Sequence, residues 1–193
     1  TNIMKVSIII PLRNEEIILK KIIEKIENKL HHLPYEIIFI NDFSTDKTFS
    51  ILNELIINKS QFNLYNNKRK GLGGAITEGI NKSTGELICI MMSDLSDDID
   101  DFINYYNTIT KEKIDAVFGS RFIKGSKLVN YPRKKLILNR IFNIVTKLLF
   151  MSDYNDFTNA FKIYKKDSLI KTFPLVSESF NIFLELPLKI ISR

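Results

Sequence analysis

Leu87-Ile88-Cys89-Ile90-Met91-Met92-Ser93-Asp94-Leu95-Ser96-Asp97-Asp98 is an apolar run that ends abruptly in three carboxylates. The run reads as a buried strand, and the carboxylates sit just past its C-terminal end. Open α/β sheets bind their ligands at that end. Carboxylates clustered there suit a hard divalent cation, which prefers oxygen ligands and often accompanies a phosphorylated substrate. Asp97 and Asp98 also suit a helix N-terminus. Asp94 is too close to the strand for capping, so the functional weight falls on it.

Outward from this segment the chain alternates between strand-like and helix-like stretches. Residues 6–10, 35–40, 62–65, 86–92 and 116–118 read as strands. Residues 15–30, 46–57, 74–81 and 99–110 read as helices; the first carries Ile18, Ile22, Ile23, Ile26 and Leu30 at helical spacing. This βαβα order predicts an α/β fold, a mostly parallel central sheet with helices on both faces. After Gly119 the pattern changes. Residues 120–132 read as an irregular basic loop and 133–150 as a long helix. A strand at 161–164 and helices at 166–173 and 181–192 complete the chain. No repeat or low-complexity linker divides it. We therefore expect one domain over residues 1–193, with a nucleotide-binding half (1–119) and an acceptor-facing half (120–193). The chain stops within an apparent helix, so we expect the domain to continue beyond it.

A chain of 193 residues, 45% apolar, can bury one sizeable core. No apolar run is long enough to span a bilayer, and residues 8–10 are too short an apolar stretch for a signal peptide. The single cysteine, Cys89, can form no internal disulfide, which fits a reducing compartment. Residues 111–150 hold ten Lys/Arg against two Asp/Glu, and so carry the whole excess behind the net charge of +6. A basic region of this kind attracts phosphates on lipid headgroups, nucleic acid or a small substrate.

Three loops follow three strands. Pro11-Leu12-Arg13-Asn14-Glu15 ends the first, and simple helix capping accounts for Asn14 and Glu15 equally well. In the second, residues 41–48, Ser44 or Thr45 could cap the helix, while Asp42 comes too early for that role. The third holds Asp94. Doubly wound order puts the second and fourth strands on either side of the first, so Asp42 and Asp94 should flank one crevice at the topological switch point. Lys68-Arg69-Lys70-Gly71-Leu72-Gly73-Gly74-Ala75 is neither a dinucleotide fingerprint nor a P-loop. Its glycines could still let backbone N–H groups approach a phosphate, although capping is the commoner use.

Taken together, the pieces SIIIPLRNE, EIIFINDFSTDKT, KGLGGAITEGI, MMSDLSDD, FGSRF and NDFTNAFKIY resemble family 2 glycosyltransferases of the GT-A fold, which is Rossmann-like. The branch they are most similar to is the dolichyl- or polyprenyl-phosphate sugar synthases. The resemblance implies that Pro11, Asn14 and Glu15 wrap the nucleotide base, that Asp42 contacts it, and that Lys70 helps to bind the nucleotide. It implies that Asp94, with Ser96 nearby, holds Mg²⁺ or Mn²⁺ and the diphosphate. Arg121 is implied to meet phosphate, and Arg133, Lys135 and Asn139 to lie near the acceptor phosphate. Met92 stands where the family's Asp-x-Asp motif has its first Asp, Phe43 where a Gly is usual, and Asn41 where an Asp is usual. A thioether is a poor ligand for a hard ion.

The implied activity is inverting transfer of a sugar from a nucleotide sugar to a polyprenyl phosphate, peripherally at the cytoplasmic membrane face. Nucleic acid is not an expected partner, because the acidic crevice opposes it. Two alternatives stand beside this reading. One is the same fold acting on a hydroxyl acceptor, for which Asp156 is the candidate base. The other is a module that binds a nucleotide without turnover, which Met92 motivates. The helix at 133–150 could be core, an oligomer interface or a membrane-surface helix. Asp156 and Asn159 fit an ordinary turn as well as a sugar contact. Glu185 reads as structural, and His31 and His32 have no assigned role.

Overall fold

The computed structural model describes residues 3–94, 97–123 and 132–193, with the side chain of Arg133 outside that set. Six strands form one sheet in the order β3-β2-β1-β4-β6-β5. They are β1 (Val6–Leu12), β2 (Tyr35–Asn41), β3 (Phe62–Asn66), β4 (Leu87–Ile90), β5 (Ala116–Phe118) and β6 (Lys162–Lys165). β1 pairs in parallel with β2 and β4, and β2 with β3. β6 enters between β4 and β5 and runs antiparallel to both. The α/β architecture and the mostly parallel sheet agree with the sequence reading. β1, β2 and β4 are almost wholly buried, as strands covered on both faces must be.

Alternation along β1 divides the core. Val6, Ile8, Ile10 and Leu12 pack with α1 (Leu19–Leu30), α2 (Thr48–Ile56) and α4 (Ile99–Lys111). Ile9 points the other way, with Ile38, Ile40, Ile88 and Ile90, into the cluster formed with α3 (Leu72–Lys82) and α7 (Ile182–Ile191). Period-two geometry explains the split, because successive side chains on a strand face opposite sides of the sheet.

Helix starts differ from the expected ones for a local reason. α1 begins at Leu19 rather than at residue 15, because Asn14 takes φ +56° and the N–H of Glu15 donates to Thr48 Oγ1 at 2.7 Å. α2 begins at Thr48, and neither Ser44 nor Thr45 caps it. Lys47 holds the N-cap position without a side-chain bond, and the Asp46 carboxylate just before it accepts from the Thr48 N–H at 3.0 Å. Ser44 and Thr45 bond to Asn14 across the loops. β4 stops at Ile90, short of Met92, whose N–H turns to the Asp97 carboxylate at 3.0 Å. Asp98, not Asp97, caps α4. The helix α6 (Lys166–Ile170) is shorter than expected.

The largest departure lies in α5 (Arg133–Leu149). Its buried residues are polar: Asn143 and Thr146 face the protein. Ile137, Leu138, Ile141, Leu148 and Leu149 face outward, the last three 54%, 71% and 74% exposed. The helix is therefore not core within this chain. Its polarity is inverted relative to an ordinary surface helix.

Candidate active site at the C-terminal edge of the sheet

Asp42 and Asp94 emerge on either side of β1, as the doubly wound order requires. The Asp42 N–H donates to Leu12 O at 2.7 Å, and the Met91 N–H donates to Ile9 O at 3.0 Å. The strands carrying the two carboxylates are thus two ladder spacings apart, roughly 10 Å.

Side chains tie the three loops into one rim. Ser44 Oγ accepts from the Asn14 N–H at 3.0 Å, and Asn14 Oδ1 accepts from the Thr45 N–H at 2.7 Å. Glu15 Oε1 accepts from Ser93 Oγ at 2.9 Å, which reaches the β4 loop one residue before Asp94. Asn14 and Glu15 are therefore cross-braces between loops rather than helix caps. The left-handed φ of Asn14 is one that asparagine tolerates. Phe43 also takes a left-handed φ, +54°, beside Asp42, with its ring about half exposed. Pro11 lies within β1, buried opposite Ile40.

Asp42 is buried, and its Oδ1 accepts from Asn67 Nδ2 at 2.7 Å and from the Gly71 N–H at 2.9 Å. The carboxylate thereby holds the glycine-rich turn against the end of β2, and Lys70 is exposed beside it. Two of the N–H groups of this turn are used within the protein. Gly71 N–H is taken by Asp42, and Gly73 N–H donates to Glu178 O at 3.0 Å. Glycine is needed for two other reasons. Gly71 has φ +111°, and a Cβ on Gly73 would lie 1.8 Å from Ser177 O. Glu185 supports the covering segment by accepting from the N–H groups of Val176 and Ser177. Burial opposes its ionisation, but Lys189 and these donors outweigh it and hold the carboxyl near 2.

The donor set at the end of β4 can be compared with the implied divalent cation. Asp94 is exposed at the turn. Asp97 is tucked under the strand end. Burial raises its pKa to about 6, the bond from the Met92 N–H lowers it, the charge of Asp94 raises it and Lys25 lowers it. Met92 supplies only a thioether, and Ser96 lies outside the described residues. Among the described residues no three of His, Cys, Asp and Glu converge on a metal position. Such a set fits a Mg²⁺-like ion that takes one carboxylate and completes its shell with diphosphate oxygens and water.

Across β6 lies a basic corner. The Arg121 guanidinium forms a fork with Asp156, Nη2 to Oδ1 at 2.6 Å and Nε to Oδ2 at 2.9 Å, and donates to Thr158 Oγ1 at 2.8 Å. Asp156 is fully buried and also accepts from the Arg121 N–H at 2.8 Å. Both of its oxygens are thus committed to Arg121, which leaves it poorly placed as a base for a hydroxyl acceptor. Arg121 and Arg140 both lie over the Phe122 ring, at 5.6 and 5.7 Å. A cavity of about 220 Å³ opens between Phe122, Arg140, Asn143 and Lys147. Asn143 Nδ2 donates to Thr158 Oγ1 at 3.1 Å, while its buried Oδ1 has no hydrogen-bond partner among the described residues. Lys135 and Asn139 lie on α5, exposed and half-buried respectively. The side chain of Arg133 lies outside the described residues. Asn67, Ser93, Asn143 and Lys162 were not singled out from the sequence. None of the four carried a local signal: Lys162 opens β6, which reads Lys-Ile-Tyr-Lys and has a lysine at each end.

Comparison with known proteins bears on the family and the fold. The chain is 29% identical over 188 residues to a dolichol-phosphate mannosyltransferase of Pyrococcus furiosus, covering 96% of this chain and 53% of that protein. It is 30% identical over 148 residues to a dolichyl-phosphate beta-glucosyltransferase of Trichomonas vaginalis, covering 72% of this chain and 43% of that one. The chain thus spans about half the length of the curated relatives it matches, or less. Among solved structures, glucosyl-3-phosphoglycerate synthase of Mycobacterium tuberculosis superposes with a TM-score of 0.72 at 16% identity, over 95% of this chain and 65% of that one. That likeness establishes a shared GT-A fold. The same mycobacterial enzyme has been solved in complex with Mn²⁺ and uridine diphosphate. The sequence profile of Glycosyl transferase family 2 matches residues 7–173, and the chain belongs to that family.

Proposed function

We propose that this chain transfers a sugar from a nucleotide sugar to the phosphate of a polyprenyl phosphate, working against a membrane surface. The observation that carries this reading is the inverted helix α5. An outward apolar face on a helix whose stretch of chain is strongly basic describes a segment lying in a lipid interface. An acceptor with a phosphate head and a polyprenyl tail would reside there. The relatives named for lipid-phosphate sugar transfer support the reading. Among the described residues no helix is long and apolar enough to cross a membrane.

The residues divide the work as follows. Asn14, Glu15, Asp42 and Lys70 form the rim for the nucleotide. Asp94, with Ser96, would hold a divalent cation, which when bound would neutralise charge on the leaving diphosphate. Arg121, with Arg133, Lys135 and Asn139, receives the acceptor phosphate. A phosphate monoester, with a second pKa of about 6, is already a nucleophile at neutral pH and needs no strong base. The harder task is bringing two anions together. Unit charges about 4 Å apart repel by roughly 4 kcal/mol at an effective dielectric near 20. Fixed guanidinium and ammonium groups offset that repulsion. Direct attack on the anomeric carbon inverts its configuration.

The commitment of Asp156 to Arg121 argues against the hydroxyl-acceptor alternative. Competition between a short polyprenyl phosphate and sugar acceptors tests the choice: transfer to the phosphate is expected, and transfer to sugar hydroxyls alone would refute it. Met92 is the one feature favouring a non-catalytic module. That alternative predicts nucleotide-sugar binding without metal dependence and without turnover on any acceptor.

A further inference from the structure

Lys162 is fully buried, yet it forms no ion pair among the described residues. Its Nζ donates to Phe157 O at 3.1 Å and to Asn159 O, and lies 5.9 Å from the ring centroids of both Phe118 and Tyr154. A buried ammonium is costly, and a methionine or leucine would fill an apolar strand position more cheaply. The location shows what the cation holds. On β6, Lys162 stands opposite Ile90 of β4 and Phe118 of β5. These are the last residues of the two strands whose loops carry Asp94 and Arg121. The carbonyls it grips belong to the turn 156–159, which is closed by the Asn159 N–H on Asp156 O at 3.1 Å. That same turn presents Asp156 and Thr158 to the Arg121 guanidinium. Tyr154 Oη and Asn159 Nδ2 both donate to Gly119 O, which ties the turn to the start of the Arg121 loop.

We propose that Lys162 is a positioning residue for sugar transfer: by holding the carbonyls of Phe157 and Asn159 it fixes the turn whose Asp156 and Thr158 aim Arg121 at the acceptor phosphate. This rests on the reading of Arg121 as a phosphate-binding group. Lys162 itself touches no substrate.

The test compares the wild-type chain with Lys162→Met, Lys162→Arg, Arg121→Ala and the double variant Lys162→Met/Arg121→Ala, all below their unfolding temperatures. The acceptor is a short-chain polyprenyl phosphate, and the donor is whichever nucleotide sugar stabilises the wild type. Lys162→Met is expected to lower kcat/KM for the acceptor by about tenfold or more, since small misplacement of a positioned group is costly. The KM for the nucleotide sugar should stay within about twofold, because the carbonyls that Lys162 holds belong to the turn behind Arg121 and not to the loops of Asn14, Asp42 and Lys70. In the Arg121→Ala background it should have no further effect, as for two residues acting through one contact. Lys162→Arg, which keeps a donor, should recover part of the loss and serves the same comparison should the Met variant not fold. Independently of turnover, the ¹⁵N-labelled Arg121 Nε–H resonance should be dispersed and slowly exchanging in the wild type, and lost in Lys162→Met. An unchanged resonance, or an equal loss of activity with and without Arg121, overturns the proposal. Arg121→Ala with wild-type transfer overturns the phosphate-binding reading of Arg121, and this proposal with it. A resonance lost in Lys162→Met would still show that Lys162 orders Arg121.

Discussion

Arg121 and Asp156 are locked as a fork, 2.6 and 2.9 Å between their paired atoms, with the carboxylate fully buried and the guanidinium partly open. This pair decides how the basic corner is built. Removing one partner of a buried pair costs about 3–5 kcal/mol, and the partial exposure of Arg121 shifts Asp156→Ala down from that range, to about 2–4 kcal/mol. Urea unfolding of Asp156→Ala and Asp156→Asn measures this, and the Asn variant should lose less. Loss of transfer with nucleotide-sugar binding retained should accompany it. A change in stability below about 0.5 kcal/mol would show that the pair is not the anchor described.

Gly73 is fixed by close approach rather than by conformation. Gly73→Ala would drive a Cβ to 1.8 Å from Ser177 O, so the segment 176–178 must move. Overpacking of this kind costs about 1–3 kcal/mol. The variant should unfold earlier and show a smaller thermal shift with nucleotide sugar, because the turn carrying Lys70 is displaced. A variant with wild-type stability would mean that the covering segment is not seated as described.

Lys162 makes stability depend on pH in a definite direction. Burial pulls its pKa down from 10.5 to about 7, with Asp156 drawing it up and Arg121 pushing it down. Between about pH 7 and 10 the unfolded chain therefore holds a proton that the folded protein has shed. Stability gains from this group as pH rises through that window. Urea midpoints at about pH 7 and 9 should separate further for the wild type than for Lys162→Met. Parallel changes in the two proteins would contradict the burial of this ammonium.

The outward face of α5 predicts membrane binding. Ile141→Glu and Leu148→Glu should abolish flotation with anionic liposomes while leaving the thermal midpoint nearly unchanged, since both side chains are more than half exposed. A large drop in the midpoint would mean that the face is buried in solution, for instance against a second copy.

Much of this architecture was legible in the sequence because parallel strands buried on both faces are long apolar runs. Val6–Leu12, Tyr35–Asn41 and Leu87–Ile90 all fall on Ile-rich runs, although β1 continues through Pro11 and β4 stops two residues before Met92. Their order then places Asp42 and Asp94 on either side of β1. Helix starts were less legible, because Asn14, Ser44 and Thr45 look like caps but bond across loops about thirty residues apart in sequence. No local pattern encodes such a bond. The position of β6 was hidden for the same reason: four residues entering antiparallel between β4 and β5 bring Lys162 beneath the Arg121 loop. The apolar width of α5 was visible, but its direction was not. Inward, Asn143 meets Thr158 and Thr146 bonds back to the Phe142 carbonyl, contacts that no helical periodicity announces.

The most direct test of the central claim is a transfer assay with a panel of radiolabelled nucleotide sugars, Mg²⁺ or Mn²⁺, and two acceptors that differ only at the head: a short-chain polyprenyl phosphate and the corresponding polyprenol. Label should pass to the polyprenyl phosphate with inverted anomeric configuration, and Asp94→Ala should abolish it. Label passing to the polyprenol or to sugar hydroxyls, with none on the phosphate, would contradict the account.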